Sequence, residues 1–230
     1  MLQNVGRYQY LPTICNRATL MKGTTTERLM RFVRDKGIVR ASDLTALRIP
    51  RSYLTRLVDS GQLQRISRGL YAATESNPTA NRTLAEACKR VPAGVICLLS
   101  ALRFHDLTTQ LPSQVWMAID FKARHPREHI LPIRITRFSG RALTEGIETH
   151  TVEGVPVRVY CPGKTIADCF KYRNKIGLDV AIEALRDGVQ KRKCTVDDLW
   201  HYARVCRVTN VLRPYLEATV WTAWPRYFCL

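Results

Sequence analysis

The spacing of apolar residues between positions 24 and 50 predicts two short helices. Thr24 and Glu27 have the separation of a capping box, and Gly37 is typical of a helix end. The apolar positions between them, at helical spacing, are Leu29, Met30, Phe32 and Val33. A second helix is expected with Ser42 as its N-cap and with Leu44 and Leu47 facing inward, before a turn through Arg48 and Ile49.

A third helix is predicted to begin at Pro50, because proline suits the first turn of a helix. Leu54, Leu57 and Val58 form its buried stripe, and Gly61 supplies a helix-ending residue. Its outward positions are Arg51, Ser52, Thr55 and Arg56. Guanidinium and hydroxyl groups at this spacing are typical of a helix that reads the major groove of DNA.

After Gly61 the pattern predicts a β-hairpin, or wing. Its arms are Gln62 to Ile66 and Leu70 to Ala73, joined by a turn at residues 67–69, and Arg65 and Arg68 are placed to meet phosphates. The order helix, helix, turn, helix, wing is that of a winged helix-turn-helix over residues 22–74. The candidate DNA-binding residues are Arg51, Ser52, Tyr53, Thr55, Arg56, Arg65, Ser67 and Arg68.

The charge of the chain favours a polyanionic partner. The 230 residues contain 36 Lys and Arg against 19 Asp and Glu, a net charge of +17, and the excess is greatest in residues 1–80. Double-stranded DNA is the expected partner, while a generally basic surface is the alternative. No apolar run approaches the roughly 20 residues that cross a bilayer, so no membrane partner is expected.

The remainder of the chain predicts a mixed α+β domain at residues 83–220, after a polar linker at 75–82. A helix is expected at Leu84 to Arg90, and strands are expected at Val115 to Ile119, Ile133 to Arg137 and Val155 to Tyr160. Further helices are expected at Thr165 to Tyr172, Asp179 to Lys191, Thr195 to Val205 and Val208 to Thr219. Residues 1–21 form an extension and residues 221–230 an aromatic tail. The fold class is therefore α+β, with a small sheet backed by helices.

The cysteines and histidines predict neither a cofactor nor a metal site. None of the eight cysteines has C-x-x-C spacing, which favours buried, reduced thiols in a cytoplasmic protein. His125 and His129 are four residues apart, but Pro126 argues for a loop. No constellation suggests covalent catalysis, and the chain is not expected to be an enzyme.

Two segments of the chain resemble enzymatic motifs. Gly163-Lys164-Thr165 resembles the end of a phosphate-binding loop, but position 158, where the motif needs glycine, is arginine. Asp168 is accordingly interpreted as a helix or core-bonding residue rather than a magnesium ligand. Asp106, Asp120 and Lys122 resemble the acids and lysine of a Mg²⁺-dependent nuclease, and this alternative stays open at the level of sequence.

Several of these segments together resemble the AbiEi-type antitoxins of bacterial type IV toxin-antitoxin systems. The matching pieces are the wing with Arg68-Gly69-Leu70-Tyr71, the segment Ser100-Ala101-Leu102 with His105, and the run Pro162 to Phe170. The resemblance covers about residues 24 to 220. It implies an N-terminal winged helix before an antitoxin domain, repression of the chain's own operon, and action against a nucleotidyltransferase-like toxin that need not be contacted directly.

The sequence therefore predicts a DNA-binding antitoxin, for which a homodimer on an inverted-repeat operator is the usual assembly and monomers bound in tandem are the alternative. Arg51→Ala or Arg56→Ala is expected to cost about 1 to 3 kcal/mol of DNA binding and to relax base preference. Arg65→Ala or Arg68→Ala is expected to weaken all sequences about equally. The alternatives are a protein-interaction module without operator specificity and the nuclease.

Overall fold

The computed structural model describes residues 23–75, 80–125 and 131–223. We call residues 23–75 the N-terminal unit and the described residues from 80 onward the sheet unit. The predicted extension and most of the predicted aromatic tail lie outside the described residues, as do residues 76–79 of the predicted linker. The elements of the N-terminal unit are α1 (Thr25–Lys36), β1 (Val39–Arg40), α2 (Leu44–Leu47), α3 (Ser52–Asp59), β2 (Leu63–Ser67) and β3 (Leu70–Ala73).

Local sequence signals account for most of the N-terminal unit. The capping box at Thr24 and Glu27 is present, and Gly37 caps the end of α1. The predicted cap at Ser42 is wrong. The residue preceding α2 is Asp43, whose carboxylate accepts a hydrogen bond from the backbone N–H of Arg40 instead of capping the helix.

The third helix begins slightly later than predicted. The helix α3 starts at Ser52, although Pro50 and Arg51 already accept hydrogen bonds from Tyr53 and Leu54. Antiparallel pairing in the order β1-β3-β2 joins the hairpin to the short strand after α1. The core of this unit lies between the helices and this sheet, and its buried members include Leu29, Val33, Leu44, Leu54, Leu57 and Leu63.

The sheet unit is built around a mixed sheet with the order β6-β5-β4-β8-β7. Its strands are β4 (Val95–Ile96), β5 (Val115–Asp120), β6 (Ile133–Phe138), β7 (Ile147–Val152) and β8 (Val155–Tyr160). Its helices are α4 (Arg82–Arg90), α5 (Leu98–Phe104), α6 (Arg141–Thr144), α7 (Pro162–Lys171), α8 (Arg173–Ile176), α9 (Leu178–Gln190), α10 (Val196–Cys206) and α11 (Thr209–Ala223). The predicted α+β class is confirmed.

Successive side chains along each strand point to opposite faces of this sheet, so each face packs against its own hydrophobic cluster. On β5, Trp116 and Ala118 pack with α7, α9, α10 and α11, while Val115, Met117 and Ile119 face the opposite side. That opposite side is covered by α4 and by Ile38 and Leu70 of the N-terminal unit. The two units therefore share one hydrophobic cluster.

Close backbone contacts also join the N-terminal unit to the sheet unit. The chain at Gly37, where α1 ends, lies directly against the turn between β7 and β8. A Cβ atom on Gly37 would overlap the carbonyl oxygen of Glu153, and one on Gly154 would lie 2.6 Å from the carbonyl carbon of Lys36. The positions of the wing and of α3 are consequently fixed relative to the large sheet.

Candidate nucleic-acid interface

The outward surface of α3 is formed by the residues that the sequence predicted. Arg51, Ser52, Thr55 and Arg56 are exposed. Leu54 and Leu57 hold the opposite side of the helix in the core, with exposed fractions of 1% and 3%. Tyr53 is half-buried, and the guanidinium carbon of Arg56 lies 5.5 Å from the centre of its ring. Tyr53 thus supports Arg56 in an orientation that leaves its charged end accessible.

The hairpin lies beside this helix and carries its own basic residues. Arg65 and Arg68 are exposed, the latter in the turn where Gly69 adopts a φ of 75°. The backbone N–H of Ala41 donates to the carbonyl of Gly69 at 3.1 Å, which ties the turn to the end of β1. Ser67 is half-buried, and its hydroxyl oxygen accepts a hydrogen bond from the Arg90 guanidinium.

An open cleft connects the start of α3, the wing turn, the end of β1 and the end of α4. Among the described residues, its charged lining consists of Arg40, Arg51, Arg68 and Arg90, and no acidic side chain lines it. Its volume is about 280 Å³. We call it the arginine cleft. Two predicted DNA-binding residues, Arg51 and Arg68, line this cleft together. Arg56, on the exposed surface of α3, does not line it.

Sequence reasoning missed Arg40 and Arg90. Arg40 ends a two-residue strand, and Arg90 ends a helix beyond the predicted linker. Neither position carries a local motif. Their place in the arginine cleft depends on how the N-terminal unit packs against α4, with Lys89 of α4 also pairing with Asp43 at 3.3 Å. The only signal that the sequence offers for these two residues is that each is a basic residue at the end of an element. Because such residues are common in any basic chain, this signal does not identify a site.

The residues of the nuclease alternative do not assemble into a metal site. Asp120 accepts a hydrogen bond from the backbone N–H of Lys122 at 2.7 Å, closing a surface turn after β5. Asp106 follows α5, and its carbonyl accepts a hydrogen bond from Lys191. Within the described ranges, no group of three or more His, Cys, Asp or Glu side chains is arranged to hold a metal ion.

The segment resembling a phosphate-binding loop is instead part of the core. Lys164 and Asp168 lie one turn apart on α7 with exposed side-chain fractions of 0% and 1%, and their charged atoms are 2.6 Å apart. The Lys164 ammonium also lies 4.2 Å from the ring centre of Tyr160. Burial raises the pKa of Asp168, while the Lys164 charge opposes that rise. The prediction that Asp168 is a core-bonding residue is confirmed.

The surroundings of the described cysteines favour a structural role for them. The cysteines within the described residues are free thiols; Cys88, Cys97, Cys169 and Cys206 are buried, whereas Cys161 and Cys194 are half-buried. Burial raises the pKa of Cys88 to about 11 and that of Cys194 to about 12. These thiols are therefore protonated and poorly nucleophilic at neutral pH.

Comparisons with known proteins agree with the N-terminal assignment. A family model described as transcriptional regulator, AbiEi antitoxin, matches residues 27–74. The fold is similar to that in the crystal structure of the RV2827C protein from Mycobacterium tuberculosis, with a TM-score of 0.59 and 15% identity, covering 84% of this chain and 75% of that one. No curated protein matches the sequence.

The matched segment begins inside α1 and ends directly after β3, so it includes α3 and the whole wing. Over the described residues, no helix is long and apolar enough to cross a membrane. Residues 27–74 therefore match the family described as transcriptional regulator, AbiEi antitoxin, and the resemblance found in the sequence is confirmed for this part of the chain.

Proposed function

We propose that this chain is a DNA-binding antitoxin that represses its own toxin-antitoxin operon. The observation that carries the proposal is the surface of α3 and the wing, where Arg51, Ser52, Thr55, Arg56 and Arg65 are exposed. The family to which residues 27–74 are matched is one of transcriptional regulators, which implies DNA as a partner. The net charge of +17 supplies long-range attraction to a phosphate backbone.

In this proposal α3 enters the major groove, with Arg56 as its base-reading residue. A guanidinium can donate two hydrogen bonds to the edge of a guanine, and Tyr53 limits the freedom that Arg56 loses on binding. Thr55 and Ser52 are close enough along the helix to contact adjacent phosphates or bases. Arg65 extends the contact to the flanking backbone. A homodimer would place two such helices on the halves of an inverted repeat.

The sheet unit is proposed to provide the antitoxin function against a nucleotidyltransferase-like toxin encoded beside it. Support comes from the antitoxin description of the family that residues 27–74 match, since the sheet unit forms the rest of the described chain. The buried core of α7, α9 and α10 makes this unit a stable body rather than a flexible appendage. Whether it acts by contact with the toxin is tested by co-purification of the two proteins, and by toxicity assays with the N-terminal unit disabled.

The proposal is tested by binding to duplex DNA from the chain's own upstream region, with random duplex as the competitor. Arg56→Ala should lower the preference for the upstream duplex by about 1 to 3 kcal/mol, because base-specific hydrogen bonds are lost. Arg186→Ala is the matched control, since Arg186 is exposed on α9 and belongs to the other side of the large sheet. Equal preference in both variants would refute the assignment of Arg56.

An interaction module without operator specificity remains the rival function. It predicts binding to a partner protein together with equal affinity for upstream and random duplexes. The same titration separates the two functions, because only a sequence-reading protein retains its complex in excess competitor.

A further inference from the structure

We infer that the arginine cleft is a phosphate-binding site that holds one backbone phosphate of bound DNA, so that the sheet unit takes part in DNA binding through Arg90. This inference rests on the proposed function, because it takes DNA as the source of the phosphate. It adds Arg40 and Arg90 to the contact surface and assigns Arg51 to a phosphate rather than to a base.

The first argument is the convergence of positive charge. Arg40, Arg51, Arg68 and Arg90 come from four separate elements and line a single cleft of about 280 Å³. Bringing guanidinium groups together costs electrostatic free energy unless an anion accompanies them. Planar guanidinium forks match the oxygen geometry of a phosphate, which makes phosphate the anion that this lining fits best.

The second argument is that the acids nearest to the cleft pair with other lysine and arginine side chains as well and do not line the cleft. Asp43 pairs with Lys89 at 3.3 Å and accepts a hydrogen bond from the backbone of Arg40. Glu86 lies one turn before Arg90 on α4, pairs with Arg82 at 3.6 Å and also interacts electrostatically with Arg90. Neither carboxylate lines the cleft. The lining of the cleft therefore carries an excess of positive charge over the acids beside it.

The third argument is that the site is held in place before any ligand binds. The Arg90 guanidinium donates to the hydroxyl of Ser67, which fixes the end of α4 against the wing. The Ala41 N–H donates to the Gly69 carbonyl, which fixes the wing turn against the end of β1. Ile38 and Leu70 anchor the same elements in the core that they share with α4. A preorganised site loses less conformational entropy on binding.

Position selects the source of the phosphate. Arg51 precedes α3 and Arg68 lies in the wing turn, so the cleft occupies the space between the two elements proposed to contact DNA. A strand that passes from the recognition helix to the wing would place its backbone there. A free phosphorylated molecule has the same chemistry and is the alternative source that the experiment must separate.

The test compares Arg40→Gln and Arg90→Gln with Arg186→Gln in the full-length protein, using random duplex at about 50 mM and about 200 mM salt. Each cleft substitution should reduce the salt slope by about 0.9 and weaken binding by up to about 15-fold at the lower and about fourfold at the higher concentration. The preference for upstream over random duplex should not change. Arg186→Gln removes the same charge and should bind like the wild type.

A second arm identifies the occupant. Duplexes that carry one neutral methylphosphonate linkage at successive positions should include one that weakens the wild type but leaves Arg40→Gln unaffected. If both cleft variants bind DNA like Arg186→Gln, the inference is wrong. If they do so while pyrophosphate raises the melting temperature of the wild type alone, the occupant is a free phosphorylated molecule, which also overturns the assignment to DNA.

Two features keep the test decisive. Arg90→Gln removes the hydrogen bond to Ser67 and could disturb the wing, so circular dichroism and thermal unfolding accompany each variant, and Arg40→Gln tests the cleft without that bond. Random duplex is used because phosphate contacts do not depend on sequence. If the wild type shows no preference for upstream over random duplex, the proposed function is refuted, but the effect of the cleft substitutions on binding to random duplex can still be measured.

Discussion

The buried pair formed by Lys164 and Asp168 gives the strongest prediction about stability. Both side chains are almost completely excluded from solvent, and Asp168 also accepts a hydrogen bond from the Cys206 thiol at 3.2 Å. Asp168→Asn would leave the ammonium of Lys164 buried without its countercharge. Removing one partner of a buried ion pair typically costs about 3 to 5 kcal/mol.

A matched pair exists on the surface of the same protein. Asp187 and Lys191 are also one helical turn apart, at 2.7 Å, but their side chains are 29% and 47% exposed. Solvent screening limits such pairs to about 1 kcal/mol or less, so Asp187→Asn should have a small effect. The comparison isolates burial, because residue types, separation along the chain and distance are nearly the same.

The assay is urea unfolding followed by circular dichroism, with melting temperatures as a second readout. For a chain of this size, a loss of 3 to 5 kcal/mol lowers the melting temperature by about 6 to 20 °C. The double variant Lys164→Met/Asp168→Leu should lose less stability than Asp168→Asn, since no charge remains buried. The reasoning is refuted if Asp168→Asn and Asp187→Asn lose equal stability, or if Mg²⁺ stabilises the wild type through Asp168.

Two further predictions concern the junction and a histidine. Gly37→Ala should cost about 1 to 3 kcal/mol more than Gly61→Ala, because both glycines have positive φ but only Gly37 abuts the backbone, at Glu153; equal costs in urea unfolding would contradict the packing. Burial lowers the pKa of His105, which hydrogen-bonds the Tyr160 carbonyl at 2.8 Å. As the pH falls below about 6.5, the unfolded imidazole therefore takes up its proton before the folded one does, so the free energy of unfolding decreases as the pH is lowered, and it should decrease less steeply in His105→Gln.

Sequence reasoning succeeded where a structure is specified by neighbouring residues. The capping box before α1 and the glycine after it needed no knowledge of distant contacts. Thr195 and Asp198 form a second such box at the start of α10, which the sequence placed within one residue. The hairpin was predicted well for the same reason, because its turn residues and its two apolar arms are adjacent in the chain.

The elements that were missed depend on their neighbours in space. The strands β1 and β4 have only two residues each, too short for an alternating pattern to be read. The strand β7 is an edge strand with largely polar residues, and its pairing with β8 defines it. The arginine cleft could not be foreseen for a related reason. Arg40 and Arg90 are fifty positions apart, and only the packing between the two units brings them together.

Binding to the chain's own upstream DNA tests the central claim most directly. The wild-type protein is titrated with upstream duplex in the presence of excess random duplex, at low and at moderate salt. We predict a complex that survives the competitor, with an affinity that falls steeply as salt rises. Equal, salt-sensitive affinity for both duplexes would reduce the basic surface to non-specific attraction and would contradict the role of α3 as a sequence-reading helix.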